Sequence, residues 1–143
     1  MSQYPAYRPR RMRRDDWSRR LIQENRLSPD DLIYPVFLLP GKNQTQTVTS
    51  MPGIERMSLD RLFSVAEECV ALGVPVMALF PVIEASLKTI DGVEAFNPNG
   101  LVPNAVTELK KRFPNLGIMT DVALDPYTSH GQDGILDQNN RIL

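Results

Sequence analysis

Apolar residues are distributed along this chain in blocks whose period changes from one block to the next. Leu32-Ile33-Tyr34-Pro35-Val36-Phe37-Leu38-Leu39 is a continuous apolar run. A run of this length without alternation predicts a strand buried on both faces, as in a parallel sheet. Residues 40–57 are polar and punctuated by Gly and Pro, which reads as a connection. Ser58 is placed to cap a helix in which Leu59, Leu62, Phe63, Ala66 and Val70 recur at helical spacing, and Gly73 is placed to end it. Val74-Pro75-Val76-Met77-Ala78-Leu79-Phe80 is a second run of the buried-strand kind, followed by a long loop to Gly100. Val102, Val106, Leu109 and Phe113 share one helical face, and Pro114 stops that helix. Leu116 to Val122 predicts a third strand.

Strand, helix, strand, helix, strand is a repeated βαβ pattern and implies a parallel sheet. Val36, Val76 and Ile118 are near-equivalent positions, 40 and then 42 residues apart. Eight such units need roughly 330 residues, within the range of a (β/α)8 TIM barrel. A doubly wound open sheet is the competing α/β architecture. No dinucleotide fingerprint follows the first strand, where Pro40-Gly41-Lys42-Asn43 stands. The pattern favours an incomplete barrel, its first three strands in residues 31–143, and the chain reads as a truncated fragment. Residues 1–30 read as an extended N-terminal arm. Pro5 and Pro9 oppose helix at its start, Asp15-Asp16 precede a short helix at Trp17–Ile22, and Ser28-Pro29-Asp30 breaks it.

Composition narrows the function classes only modestly. Of 143 residues 42% are hydrophobic and 23% charged, with net charge -1, as in an ordinary globular domain. No apolar stretch reaches the 18 residues of a membrane span, and no signal-peptide core follows the first arginines. The single cysteine, Cys69, cannot form an internal disulfide, and the reading is a cytoplasmic protein. Charge is uneven: eight arginines lie between Arg8 and Arg26, against Asp15, Asp16 and Glu24. Such an arm is a solvated tail, a nucleic-acid contact, or a segment that docks on another subunit through arginine–carboxylate pairs.

The chemistry concentrates where the third strand ends, in Asp121-Val122-Ala123-Leu124-Asp125-Pro126-Tyr127-Thr128-Ser129-His130-Gly131-Gln132-Asp133-Gly134. Continued as a strand, Asp121, Ala123 and Asp125 point to one side, at the end where barrel enzymes carry their active sites. Asp133, in a Gly-flanked loop, can fold back over them, and three converging carboxylates could bind a hard cation or hold an ammonium group. Singly, each aspartate is equally ordinary turn chemistry. His130, the sole histidine, reads better as a loop-orienting group than as an acid–base group, and Tyr127 and Phe80 read as packing residues.

As a whole, the fourteen-residue string resembles the metal segment of the porphobilinogen synthases (δ-aminolevulinic acid dehydratases). The resemblance runs along the chain. It includes Arg10-Arg11-Met12-Arg13-Arg14 with Asp15-Asp16-Trp17-Ser18-Arg19, then Tyr34-Pro35-Val36-Phe37 and Ser50-Met51-Pro52-Gly53-Ile54-Glu55-Arg56. Leu79-Phe80-Pro81-Val82 and Glu94-Ala95-Phe96-Asn97-Pro98 extend it. In the family's zinc-dependent members, cysteines stand where this chain has Ala123, Asp125 and Asp133, so the chain resembles the aspartate-rich, zinc-independent class. Oxygen donors without sulfur suit Mg²⁺ and not zinc.

The resemblance implies condensation of two molecules of 5-aminolevulinate to porphobilinogen with loss of two waters, in tetrapyrrole biosynthesis. It implies a substrate-binding role for Asp121, which orients the substrate's amine or transfers a proton, substrate contacts for Asp125 and Ser129, and metal-position residues in Asp125 and Asp133. It further implies Mg²⁺ as the cation, a homo-octamer joined through the arm, and no nucleic-acid or membrane partner. The resemblance also implies that each substrate ketone is held as a Schiff base on a lysine from the second half of the barrel. Lys42, Lys88, Lys110 and Lys111 fall in loops or on an outer helix, so no catalytic lysine is expected here and the chain alone is expected to be inactive. An aldolase-type Schiff-base barrel and a non-catalytic subunit-interaction fragment are the alternatives.

Overall fold

The computed structural model describes residues 3–143. The N-terminal segment carries a short helix, α1 (Asp16–Leu21), preceded by a 3₁₀ turn at Arg11–Arg13. Arg19 and Arg20 reach back to Asp16, at 3.6 and 3.3 Å, across exposed helix surface. Such pairs contribute little stability in water. Trp17, Leu21 and Leu27 are 62, 73 and 81% exposed, so the described residues do not cover the segment's own apolar side chains.

Five strands and two further helices follow: β1 (Ile33–Leu39), β2 (Thr45–Thr47), β3 (Glu55–Ser58), α2 (Leu59–Leu72), β4 (Val76–Pro81), α3 (Leu101–Arg112) and β5 (Gly117–Thr120). They make one sheet in the order β2-β3-β1-β4-β5. β1, β4 and β5, the three runs expected from the sequence, lie side by side and parallel. The expectation of a purely parallel sheet is corrected. Residues 40–57 contain β2 and β3, paired antiparallel to each other, and β3 adds parallel to the end of β1. Both strands are short and mostly polar, and no apolar run announces them.

α2 and α3 pack on one face of the sheet. Val36, Leu38, Met77 and Leu79 point into that layer and meet Leu62, Ala66, Cys69, Ala105, Leu109 and Leu116. Leu38, Leu62, Ala66, Met77, Ala105 and Leu109 are fully buried, and each large side chain so buried contributes about 1.5–3 kcal/mol. Gly73 ends α2 in the left-handed region (φ +78°), and its neighbour Val74 returns a hydrogen bond to the Cys69 carbonyl. Ser58 stands at the N-cap position as expected, yet its hydroxyl donates to Asp60 at 2.6 Å rather than capping a backbone N–H.

The other face of the sheet is open. The strands expected to be buried on both faces are covered on one, because both long helices lie on the same side. Ile33, Phe80 and Met119 remain 38–50% exposed there. The sheet is an open α/β sheet among the described residues, and no helix in them is long and apolar enough to cross a membrane.

Candidate active site

A cavity of about 360 Å³ opens at the C-terminal ends of the parallel strands, on the face away from the helices. Phe37, Phe80, Asp121 and Asp125 line it, together with Arg56 and Lys88. Register explains the arrangement. Phe37 pairs with Arg56 on one side and with Phe80 on the other. Leu79 pairs with Thr120, so the next position sets Asp121 level with Phe80. Side chains at one level on neighbouring strands share a face. Arg56, Phe37 and Phe80 therefore form a row across three strands, which Asp121, just past the end of β5, extends. The Phe37 and Phe80 rings lie 6.3 Å apart, tilted at 55°, a favourable aromatic geometry.

β5 ends at Thr120, two residues short of the expected strand, and Asp121 to Asp125 is irregular. Asp121 and Asp125 nevertheless reach the same cavity. Asp133 does not join them as a third ligand. Its Oδ1 accepts hydrogen bonds from the backbone N–H groups of Leu124 and Asp125, the latter at 3.0 Å. The expected convergence of three carboxylates is absent: the described residues hold no group of three or more His, Cys, Asp or Glu side chains that could bind a metal ion. The donors present have no thiolate and one carboxylate committed to backbone, so they do not fit a complete zinc or Mg²⁺ site.

Ser129 is exposed, and its N–H donates to the Thr89 carbonyl at 2.9 Å. The Thr89 N–H returns a bond to the Tyr127 carbonyl, which makes a short parallel bridge between the loop after β4 and the aspartate-rich segment. His130 adds a second tie. Its Nε2 donates to the Ile90 carbonyl at 3.0 Å while Nδ1 accepts from the Gln132 N–H at 3.3 Å, which fixes the ring as a loop-orienting group. Gly92 (φ +62°) permits the close approach, since a Cβ there would sit 3.4 Å from the Thr128 methyl in a conformation side chains rarely adopt. Burial, then the neighbouring Glu94, pushes the Tyr127 hydroxyl up from its ordinary pKa.

Two cavity residues were not expected from the sequence. Arg56 lay in a segment read as a loop, and Lys88 was read only as a loop lysine. The alternation Glu55-Arg56-Met57-Ser58 ahead of α2 is the signal that could have shown a strand. Lys42 does not line the cavity, and Lys110 is occupied by the Pro114 and Leu116 carbonyls at 2.6 and 2.9 Å. Phe80, expected to pack, both packs on Phe37 and lines the cavity.

Residues 6–143 match the family model described as delta-aminolevulinic acid dehydratase. A delta-aminolevulinic acid dehydratase of Bradyrhizobium diazoefficiens is 50% identical over 131 residues, covering 92% of this chain and 37% of that protein. One from Synechocystis is 40% identical over 143 residues, covering 98% of this chain and 43% of that protein. The crystal structure of the Toxoplasma gondii enzyme, also called porphobilinogen synthase and solved with its reaction product porphobilinogen, superposes with a TM-score of 0.89 at 39% identity. That match covers 96% of this chain and 39% of that one. The chain thus spans about two fifths of the length of these relatives, and with its fold and its match along nearly its whole length it belongs to the delta-aminolevulinic acid dehydratase family.

Proposed function

We propose that residues 1–143 are part of an enzyme that joins two molecules of 5-aminolevulinate into porphobilinogen, with loss of two waters. The observation that carries this reading is the cavity at the strand ends, with Asp121 and Asp125 on its wall, in a chain of this family. In this reading β1, β4 and β5 are the first three strands of a (β/α)8 barrel, and the cavity is its mouth. The Asp121 carboxylate accepts hydrogen bonds from the substrate's ammonium group, orients it, and takes up a proton when the amine must act as a nucleophile. Asp125 and the Ser129 loop border the same substrate. The Schiff-base lysines belong to the remainder of the barrel.

The cation proposed for the completed enzyme (these residues continued by the rest of the family's length) is Mg²⁺. Its donors lie outside residues 1–143, because Asp133 is engaged with backbone. Residues 1–30 are proposed as a subunit-contact arm in a homo-octamer. Their exposed Trp17, Leu21 and Leu27 and their arginines suit a protein partner rather than a nucleic acid.

The test is turnover. The completed enzyme should form porphobilinogen from 5-aminolevulinate, and Asp121→Asn should lower kcat by about a hundredfold or more. The isolated chain should form none, and borohydride with substrate should leave no adduct on Lys42, Lys88, Lys110 or Lys111. A completed enzyme without turnover, or a stoichiometric adduct on one of those lysines, overturns the proposal.

A further inference from the structure

One ring bonds to both loops that border the cavity. His130 donates from Nε2 to the Ile90 carbonyl, in the loop after β4, and accepts the Gln132 N–H on Nδ1, in the aspartate-rich segment. A carbonyl only accepts and an N–H only donates, so both bonds require the neutral imidazole with its proton on Nε2. The ring is half-buried.

Each bond leads to a residue that lines the cavity. On the β4 side, Ile90 follows Thr89, whose N–H and carbonyl bridge to the Tyr127 carbonyl and the Ser129 N–H. Lys88, next before Thr89, lines the cavity. The Thr89 hydroxyl donates to Asp91 at 2.7 Å and accepts the Val93 N–H at 3.1 Å, which closes residues 89–93 into a turn. On the other side, Gln132 is held twice, its N–H by His130 and its carbonyl by the Thr128 hydroxyl at 3.0 Å. Asp133 follows it, and its carboxylate takes the N–H of Asp125, which also lines the cavity. No regular strand pairing joins the two loops, since the bridge at Thr89 and Thr128 is isolated. Gly92 packs beside it: a Cβ there would lie 3.4 Å from the Thr128 methyl and 3.6 Å from a Leu124 methyl.

We propose that His130 is a positioning residue: it latches the loop after β4 to the aspartate-rich segment, and the latch sets where Lys88 and Asp125 stand in the cavity. The ring is not among the residues that line the cavity, so it acts through them. Two backbone bonds in an isolated bridge open easily, because no neighbouring pairs share the cost of ordering the chain. A further bond from a side chain with only two torsions holds the bridge shut. This rests on the substrate reading above and adds to it the residue that keeps the site's two loops in register.

Two replacements separate the latch from a purely local turn. His130→Asn keeps an acceptor for the Gln132 N–H, as in an Asx turn, but is too short to reach Ile90. His130→Gln extends an amide donor to the Ile90 carbonyl. Gly92→Ala strains the same contact from the other loop without touching the ring. In the completed enzyme His130→Asn should raise the KM for 5-aminolevulinate about fivefold, the loss of one ordinary hydrogen bond, with kcat within about twofold. His130→Gln should keep KM within about twofold of the wild type, and Gly92→Ala should follow His130→Asn. Without substrate, amide exchange at Thr89 and Ser129 should be about fivefold faster in His130→Asn and near the wild-type rate in His130→Gln. KM unchanged in both His130→Asn and Gly92→Ala overturns the proposal, as does an equal rise in His130→Asn and His130→Gln. A fall in kcat alone would make the ring an acid–base group and overturn it too. Absence of porphobilinogen from the unaltered enzyme would overturn the function instead. The exchange rates would then still decide the latch, and equal rates in wild type, His130→Asn and His130→Gln overturn it.

Discussion

Asp133 Oδ1 accepts the backbone N–H of Asp125 at 3.0 Å, so the two residues expected from the sequence to ligate a metal meet instead as a carboxylate and a backbone donor. With the N–H of Leu124 on the same oxygen, Asp133 closes the loop from Leu124 to Asp133. Asp133→Ala should leave both amides unpaired and destabilise the loop by about 1 kcal/mol. Asp133→Asn keeps an acceptor oxygen and should cost less. Hydrogen exchange at Leu124 and Asp125 checks this: equal protection in all three proteins would show that the contact does not hold the loop.

Metal dependence follows from the same positions. Ala123, Asp125 and Asp133 offer no sulfur, and zinc at such a site would lack its preferred donors. The completed enzyme should keep its activity in a zinc-selective chelator, and Mg²⁺ should support or raise it. Loss of activity restored by zinc alone would refute the assignment.

Acid sensitivity should have an identifiable component at the start of α2. The Ser58 hydroxyl, then the Asn43 N–H, hold the Asp60 carboxyl below its ordinary pKa. A lowered folded-state pKa contributes stability that is complete above the unfolded value, about 3.9 for aspartate, and is lost as pH falls through the folded value. Urea melts of the wild type and Asp60→Asn should therefore converge as pH falls below about 4 and stay separated by a constant amount near neutrality. A difference independent of pH would exclude the carboxylate as its source.

The arm gives an assembly prediction. Trp17, Leu21 and Leu27 are uncovered among the described residues, and seven arginines precede residue 21. Deleting residues 1–26 from the completed enzyme should lower oligomeric state and activity together, and no salt-sensitive affinity for duplex DNA should exist. Sedimentation of the deletion decides: an unchanged large oligomer would mean a solvated tail.

Periodicity in the chain determined the three parallel strands and the two helices. Val36, Leu38, Met77 and Leu79 must leave water, and Leu62, Ala66, Ala105 and Leu109 recur at the spacing that covers them. Gly73 and Pro114 marked helix ends because backbone geometry at those residues is a local property. The family, too, was legible from strings of residues. What the sequence alone did not determine was any relation across strands. The β2–β3 hairpin is polar and three to four residues long, and it exists only because β1 offers an edge to pair with. Lys88 and Asp121 are 33 residues apart, Arg56 and Asp121 65 apart, and only strand register and the tie between Thr89 and Ser129 bring them to one cavity. Tertiary packing likewise turned Asp133 from a prospective ligand into a loop clamp. An acceptor's partner is set by which backbone donors the fold leaves unpaired beside it, and no local pattern encodes that.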